Sequence, residues 1–202
     1  MAWFPLFTQL SGRRCLIAGG GRVAARKAEA LAPFGPRIRV VAPDILPALE
    51  RALVEPVWRE VAGEDVAWAE LVVDATGVPQ VGEALYRQCV SRGIPINVVD
   101  RPELCTFIFP AILQKGPLVA GIATGGASPT AAAWARDQLE AAIPGEFDAI
   151  LVQMQRQREL ARERLDGQGR RAALLKRCFA MALERGRPLT EGELNRLWEG
   201  LV

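Results

Sequence analysis

In the first hundred residues, continuous apolar runs alternate with stretches whose apolar residues return every three or four positions. Cys15–Ala18 is such a run, stopped by Gly19-Gly20-Gly21, and behind it Ala24, Ala28, Leu31 and Ala32 recur at helical spacing. Short apolar runs read as strands covered on both faces, and the 3.6-residue stripes as the helices that cover them. Arg37–Ala42 repeats the strand signal and closes on Pro43-Asp44. Pro56–Val61 offers a short strand, and Leu71–Asp74 another that ends in Ala75-Thr76-Gly77. A helix is predicted over Pro79–Arg92, with Val81, Leu85, Cys89 and Val90 as its stripe and Gly93 as its stop; Pro95–Asp100 is the next strand. This alternation predicts an α/β fold built on a doubly wound parallel sheet. Ligands of such sheets sit beyond the carboxyl ends of the strands, where Gly19–Gly21, Ala42–Asp44, Asp74–Gly77 and Asn97–Asp100 gather.

After Asp100 the rhythm changes. Leu104–Phe109 and Pro117–Thr124 read as two strands with no helix between them, and Gly125-Gly126-Ala127 as a turn. Ser128 followed by Pro129 is a helix start, serine accepting from the first turn and proline needing no amide partner there; this helix runs to about Ile143. Pro144-Gly145 ends it, and Glu146–Val202 reads as helices broken at Gly167 and Gly169, with Thr190 and Glu193 forming a capping box for the last one. Arg156, Arg158, Arg162 and Arg164 are interleaved with Glu159, Glu163 and Asp166, which marks a solvated helix face rather than a basic patch.

Composition narrows the choices. The 202 residues are 50% hydrophobic and 24% charged, with a net charge of +2, so a soluble globular protein is expected and a nucleic-acid binder is not. No apolar stretch is long enough for a bilayer, and the start Met-Ala-Trp-Phe-Pro lacks a basic region and cleavage site, so secretion is not expected. Cys15, Cys89, Cys105 and Cys178 are scattered without a C-x-x-C pair, as reduced thiols of a cytoplasmic protein would be. Histidine is absent. Proton transfer therefore falls to Asp, Glu, Lys, Cys or Tyr86, and no cluster suggests a permanent metal site.

Gly19, Gly21 and Ala24 follow the G-x-G-x-x-G/A spacing between a strand and a helix. Glycine permits the tight turn and the close approach of a diphosphate, a small third residue lets the helix pack on its strand, and the helix N-terminus faces the anion. A glycine-rich turn without a ligand is the plainer alternative. With the dinucleotide motif of Gly19, Gly21 and Ala24, the sheet becomes Rossmann-like. Asp44 lies 23 positions after Gly21, near the usual place of the acid that binds the ribose and repels the extra phosphate of NADP. It is equally an exposed turn aspartate.

Three strings then occur in order: Gly19–Lys27 (GGGRVAARK), Asn97–Ala111 (NVVDRPELCTFIFPA) and Ala123–Pro129 (ATGGASP). Together they resemble the precorrin-2 dehydrogenases of siroheme synthesis, which occur as stand-alone proteins and as the N-terminal part of siroheme synthases. The resemblance covers about Phe4–Ile143 and, more loosely, the helical tail. It implies NAD-dependent oxidation of precorrin-2 to sirohydrochlorin, with ferrous-iron insertion in some members. It implies a homodimer, and three parts: an NAD-binding Rossmann domain (1–112), a dimerisation segment (113–145) and a helical C-terminal domain (146–202). The family's functional aspartate maps onto Asp100, and its NAD contacts map onto Gly21, Arg22, Val23, Pro43, Asp44, Asp74, Ala75 and Thr76. Thr124 stands where members often carry serine.

Asp100 is reached independently as a carboxylate at a strand end on the rim of the glycine turn, although it also reads as a turn residue before Arg101-Pro102. A substrate bearing eight carboxylates calls for cations and amides: Asn97, Arg101, Lys115 and Arg136, with Thr124, Gly125, Gly126 and Ser128 at the next helix start. Each of the charges is equally a surface residue. Phe107-Ile108-Phe109 reads as core or dimer interface rather than macrocycle wall. The rivals are an NAD- or redox-sensing Rossmann module without turnover, a tetrapyrrole carrier, and an ordinary alcohol dehydrogenase, against which Tyr86 has no Y-x-x-x-K lysine.

Overall fold

The computed structural model describes residues 3–51 and 54–200. The chain ends included in the domain reading, 1–2 and 201–202, lie outside the described residues. Two compact units result, one over Phe4–Phe109 and the other from Pro110 onward.

In the first unit, strands β1 (Arg14–Ala18), β2 (Arg37–Val41), β3 (Val54–Val57), β4 (Leu71–Asp74) and β5 (Ile96–Val98) form one sheet in the order β3-β2-β1-β4-β5. Every pairing is parallel; Ile17, for example, lies between Val40 and Val73. Helices α1 (Arg22–Leu31), α2 (Pro47–Arg51), α3 (Gly63–Trp68) and α4 (Pro79–Arg92) connect the strands. Both faces are covered, which explains the continuous apolar runs. Cys15 and Ile17 pack with Ile38, Val40 and Val73 against Ala24, Ala28 and Leu31 of α1. Leu16, Ala18, Val72 and Ile96 face Leu85 and Cys89 of α4. Each large aliphatic side chain so buried stabilises the fold by about 1.5–3 kcal/mol. The chain order reverses between β1 and β4, the place where α/β sheets open a crevice at their strand ends.

The second unit pairs β6 (Ala111–Lys115) antiparallel with β7 (Leu118–Ile122), followed by α5 (Pro129–Ala142), α6 (Phe147–Arg164), α7 (Gln168–Arg185) and α8 (Glu191–Glu199). Ser128 caps α5, its Oγ accepting from the Ala131 amide at 3.1 Å. The Thr190–Glu193 capping box closes as predicted. Ile150, Ala161, Leu174, Cys178 and Leu197 form a separate core.

Some expectations are corrected. Leu104–Phe109 is not a strand: a 3₁₀ turn, Pro102–Leu104, leads into irregular chain, and the hairpin starts at Ala111. The amides of Thr106 and Phe107 both turn to the one carbonyl of Ile96, so no ladder grows there. The strand expected over Pro56–Val61 lies at Val54–Val57. Val90 and Ala32 face solvent; the inner face of α4 carries Gly82 instead.

Candidate functional site

The turn after β1 is a clamp. Gly19 has φ +106°, and a Cβ on it would lie 2.5 Å from the Ala75 carbonyl oxygen; one on Gly20 would lie 2.0 Å from that of Asp44. The turns after β4 and β2 therefore press on these two glycines. Backbone hydrogen bonds hold them there: Gly19 N to Val41 O at 2.9 Å, Leu46 N to Gly20 O at 2.9 Å and Ala75 N to Ala18 O at 2.8 Å. Gly21 differs. It is the N-cap of α1 with φ −86°, and a Cβ there would meet nothing within 4 Å. No side chain caps α1 and no acidic residue sits in its first turn. Its free amides and dipole face open space, as a diphosphate requires. The residues present thus fit a dinucleotide.

Beyond β4 the chain makes a second fixed turn. Asp74 is buried, its Oδ1 accepting from the Thr76 amide at 3.0 Å and the Thr76 hydroxyl at 2.7 Å. Its other oxygen points at α4, 2.7 Å from where a Cβ on Gly82 would be. Asp74 therefore shapes the rim. Between this turn and the end of β5 lies a cleft of about 280 Å³, lined by Val23, Asp74, Ala75, Thr76, Gly82, Val98, Asp100 and Arg101 among others. That volume falls just below the usual range for small-molecule sites.

Asp100 is exposed on this cleft with φ +61°, the one non-glycine among the described residues in the left-handed region. Such a conformation costs an L-residue about 1–2 kcal/mol, less for aspartate, and persists only where neighbours enforce it. The neighbours here form a knot. The Cys105 thiol donates toward the carbonyls of Val98 and Arg101 (3.3 Å each) and accepts from the Val98 amide at 3.3 Å and from Asn97 Nδ2 at 3.4 Å. Asn97 also donates to the Phe107 carbonyl at 3.1 Å, and Thr106 Oγ1 accepts from the Ile96 amide at 2.8 Å. The loop between β5 and Phe107 is thereby closed, with Asp100 at its tip. Burial pushes the Cys105 thiol above its ordinary pKa, and those of Cys15 and Cys89 up to about 11, so none of the three is a nucleophile near neutrality.

Of the expected site residues, Val23, Asp74, Ala75, Thr76, Asp100 and Arg101 line one cleft. Gly19, Gly21 and Arg22 belong to the adjoining turn, and Pro43 and Asp44 are exposed at the end of β2 with the Asp44 carbonyl against Gly20. Arg101 pairs with Glu103 and lies 3.7 Å from Glu83. Asn97 is buried, and its amide nitrogen is bonded inside the loop, where it anchors the chain that carries Asp100.

Lys115, Thr124, Gly125, Gly126, Ser128 and Arg136 fall in the other unit. Lys115 donates to the Pro144 carbonyl at 2.9 Å, and Arg136 pairs with Asp137. Thr124 Oγ1 bonds both the amide and the carbonyl of Ser128, whose own hydroxyl caps α5, so both hydroxyls take part in the helix start. Gly125 and Gly126 adopt φ of +64° and +89° and are exposed. Two residues escaped sequence reasoning: Cys105, which reads as a scattered thiol, and Lys27, whose ammonium lies over the Phe109 ring, 3.8 Å from its centroid.

Residues 6–111 match the model of the family NAD_binding_7, described as "Putative NAD(P)-binding". The chain belongs to this NAD(P)-binding family. Siroheme synthases are its homologues. It is 37% identical over 176 residues to that of Methylobacillus flagellatus, covering 85% of this chain and 38% of the relative. With that of Pseudomonas paraeruginosa it shares 38% over 208 residues, 98% of this chain and 44% of the relative. The chain thus spans less than half the length of these curated relatives. Its fold is that of the solved structure of SirC, precorrin-2 dehydrogenase, with a TM-score of 0.73 at 20% identity over 98% of both chains.

Proposed function

We propose that this chain oxidises precorrin-2 to sirohydrochlorin with NAD. The observation that carries the reading is that Asp100, an exposed carboxylate, shares one cleft with Val23 of α1 and the Asp74–Thr76 turn. The siroheme synthase homologues supply the substrate class. Bound NAD supplies the hydride acceptor. The chain's residues do the rest. Gly21 and the amides of Arg22 and Val23 hold the diphosphate, and Ala75 and Thr76 form the adjoining wall. The exposed Asp44 carboxylate receives the ribose and selects NAD over NADP. In the overall change precorrin-2 loses a hydride to NAD and a proton; Asp100 accepts that proton at a carboxylate oxygen and passes it to solvent. Arg101 offers a cation to a substrate carboxylate.

The segment 113–145, which holds most of the two-stranded hairpin, serves dimerisation in this reading, between the Rossmann domain (1–112) and the helical domain (146–202), in a cytoplasmic homodimer. Among the described residues no helix is long and apolar enough to cross a membrane, and no group of three or more Cys, Asp or Glu gathers into a metal site. Iron, where inserted, is a substrate in this reading.

An anaerobic assay with precorrin-2 and NAD tests the proposal. The sirohydrochlorin spectrum should appear together with NADH. NAD binding without turnover would instead make the chain a sensing module. Ferrous iron added to the product in the same cuvette tests insertion.

A further inference from the structure

We propose that Lys27 is a substrate anchor: its ammonium binds a carboxylate of the tetrapyrrole beside Asp100, an inference that rests on the dehydrogenase reading. Lys27 lies on α1, half-buried, with Nζ 3.8 Å from the centroid of the Phe109 ring. Phe109 in turn packs on the core beneath α1 and lies 5.4 Å from Phe107, at the end of the loop that carries Asp100. Among the described residues no carboxylate comes within ion-pair distance of Lys27, and no oxygen accepts its protons; its partner is the face of the Phe109 ring.

Burying a cation without an anion is unfavourable, and burial indeed pushes the Lys27 pKa below its ordinary 10.5. Cys105 and Asp100 act on it in the opposite sense, which places Lys27 within electrostatic reach of the tip of the Asp100 loop. The ring face contributes a weak attraction to the ammonium, and among the described residues no protein oxygen takes its N–H donors. A cation held in this way is available for a charge-assisted pair with an anion that a ligand brings.

The chemistry available is an anionic oxygen from one of two sources, the dinucleotide's diphosphate or a substrate carboxylate. The diphosphate belongs at Gly21, six residues back along α1, or about 9 Å at 1.5 Å per residue. Lys27 is directed to Phe109 instead. The carboxylate is the source consistent with that direction, because Phe109 and Phe107 follow the loop that carries Asp100.

Binding titrations on the full chain test this without turnover, using sirohydrochlorin, followed by its absorbance, and NAD as separate probes. Lys27→Met should weaken sirohydrochlorin binding by about tenfold with NAD affinity unchanged. Lys27→Arg should restore most of it, and in the assay Lys27→Met should raise the KM for precorrin-2 more than it lowers kcat. Equal sirohydrochlorin affinity in wild type and Lys27→Met overturns the inference. So does a loss confined to NAD, which would give Lys27 to the diphosphate. If the wild-type chain binds NAD but no sirohydrochlorin, the functional reading itself fails and the anchor falls with it.

Discussion

The carbonyl oxygen of Asp44 stands where a side chain on Gly20 would begin, 2.0 Å from the position of a Cβ. The turn after β2 is thus seated directly on the turn after β1, and the two strand ends of the proposed cofactor rim are fixed to each other through backbone alone. Gly20→Ala should force them apart, at a cost of about 2–4 kcal/mol read by thermal unfolding. Gly21→Ala makes the contrast. Nothing stands within 4 Å of its Cβ and its φ of −86° suits any residue, so its unfolding should match wild type. NAD affinity should nevertheless fall at least tenfold, because the added methyl occupies the space the diphosphate needs. An unaltered affinity would remove the glycine turn from the cofactor site.

Asp100 combines an acid with a backbone strain, and the two can be separated. Asparagine tolerates φ of +61° nearly as well as aspartate and cannot accept the proton. Asp100→Asn should therefore unfold like wild type, bind NAD equally and lose turnover by about 10²–10⁴-fold. Asp100→Gly removes the strain with the acid and should raise stability by up to about 1 kcal/mol while losing the same activity. Full activity in the Asn variant would end the role given to this carboxylate.

The knot at Cys105 is testable in the same way. Cys105→Val keeps the volume but strips the partner from the Val98 amide and from Asn97, costing about 1–3 kcal/mol. With the Asp100 loop loosened, turnover should drop about tenfold while NAD affinity stays constant. Cys105→Ser keeps a donor and an acceptor and should retain most of the activity. If Val and Ser variants behave alike, the thiol merely fills space.

Much of this arrangement was readable from the chain. The runs at Cys15, Arg37, Leu71 and Pro95 declared a buried parallel sheet because both faces of each strand are covered, and capping residues located α5 and α8. Helices α2 and α3 have five and six residues, too few for a period to register. Leu104–Phe109 has the composition of a strand but spends its backbone on the single carbonyl of Ile96. Asp100 was legible as a carboxylate after a strand end, a local feature, and the resemblance of Asn97–Ala111 singled it out from a turn aspartate. Its left-handed backbone, the thiol beneath it and the ammonium of Lys27 depend on contacts across the fold, which no spacing encodes.

The second unit offers a prediction in pH. Glu193 caps the start of α8 and is pulled down to about 2 from its ordinary 4.5, chiefly by hydrogen bonds from Arg187, then by the Thr190 amide. A carboxyl depressed on folding binds its proton more readily in the unfolded chain, so acid favours unfolding. Its contribution is complete above about pH 4.5, shrinks as the pH falls through the interval down to about 2, and is gone below it. Thermal unfolding of wild type and Glu193→Gln should differ by a constant amount from pH 7 to 5. That gap should then narrow toward zero near pH 2, because the variant has no proton to gain. A gap that keeps its size to pH 2 would show that Glu193 stabilises α8 by packing alone.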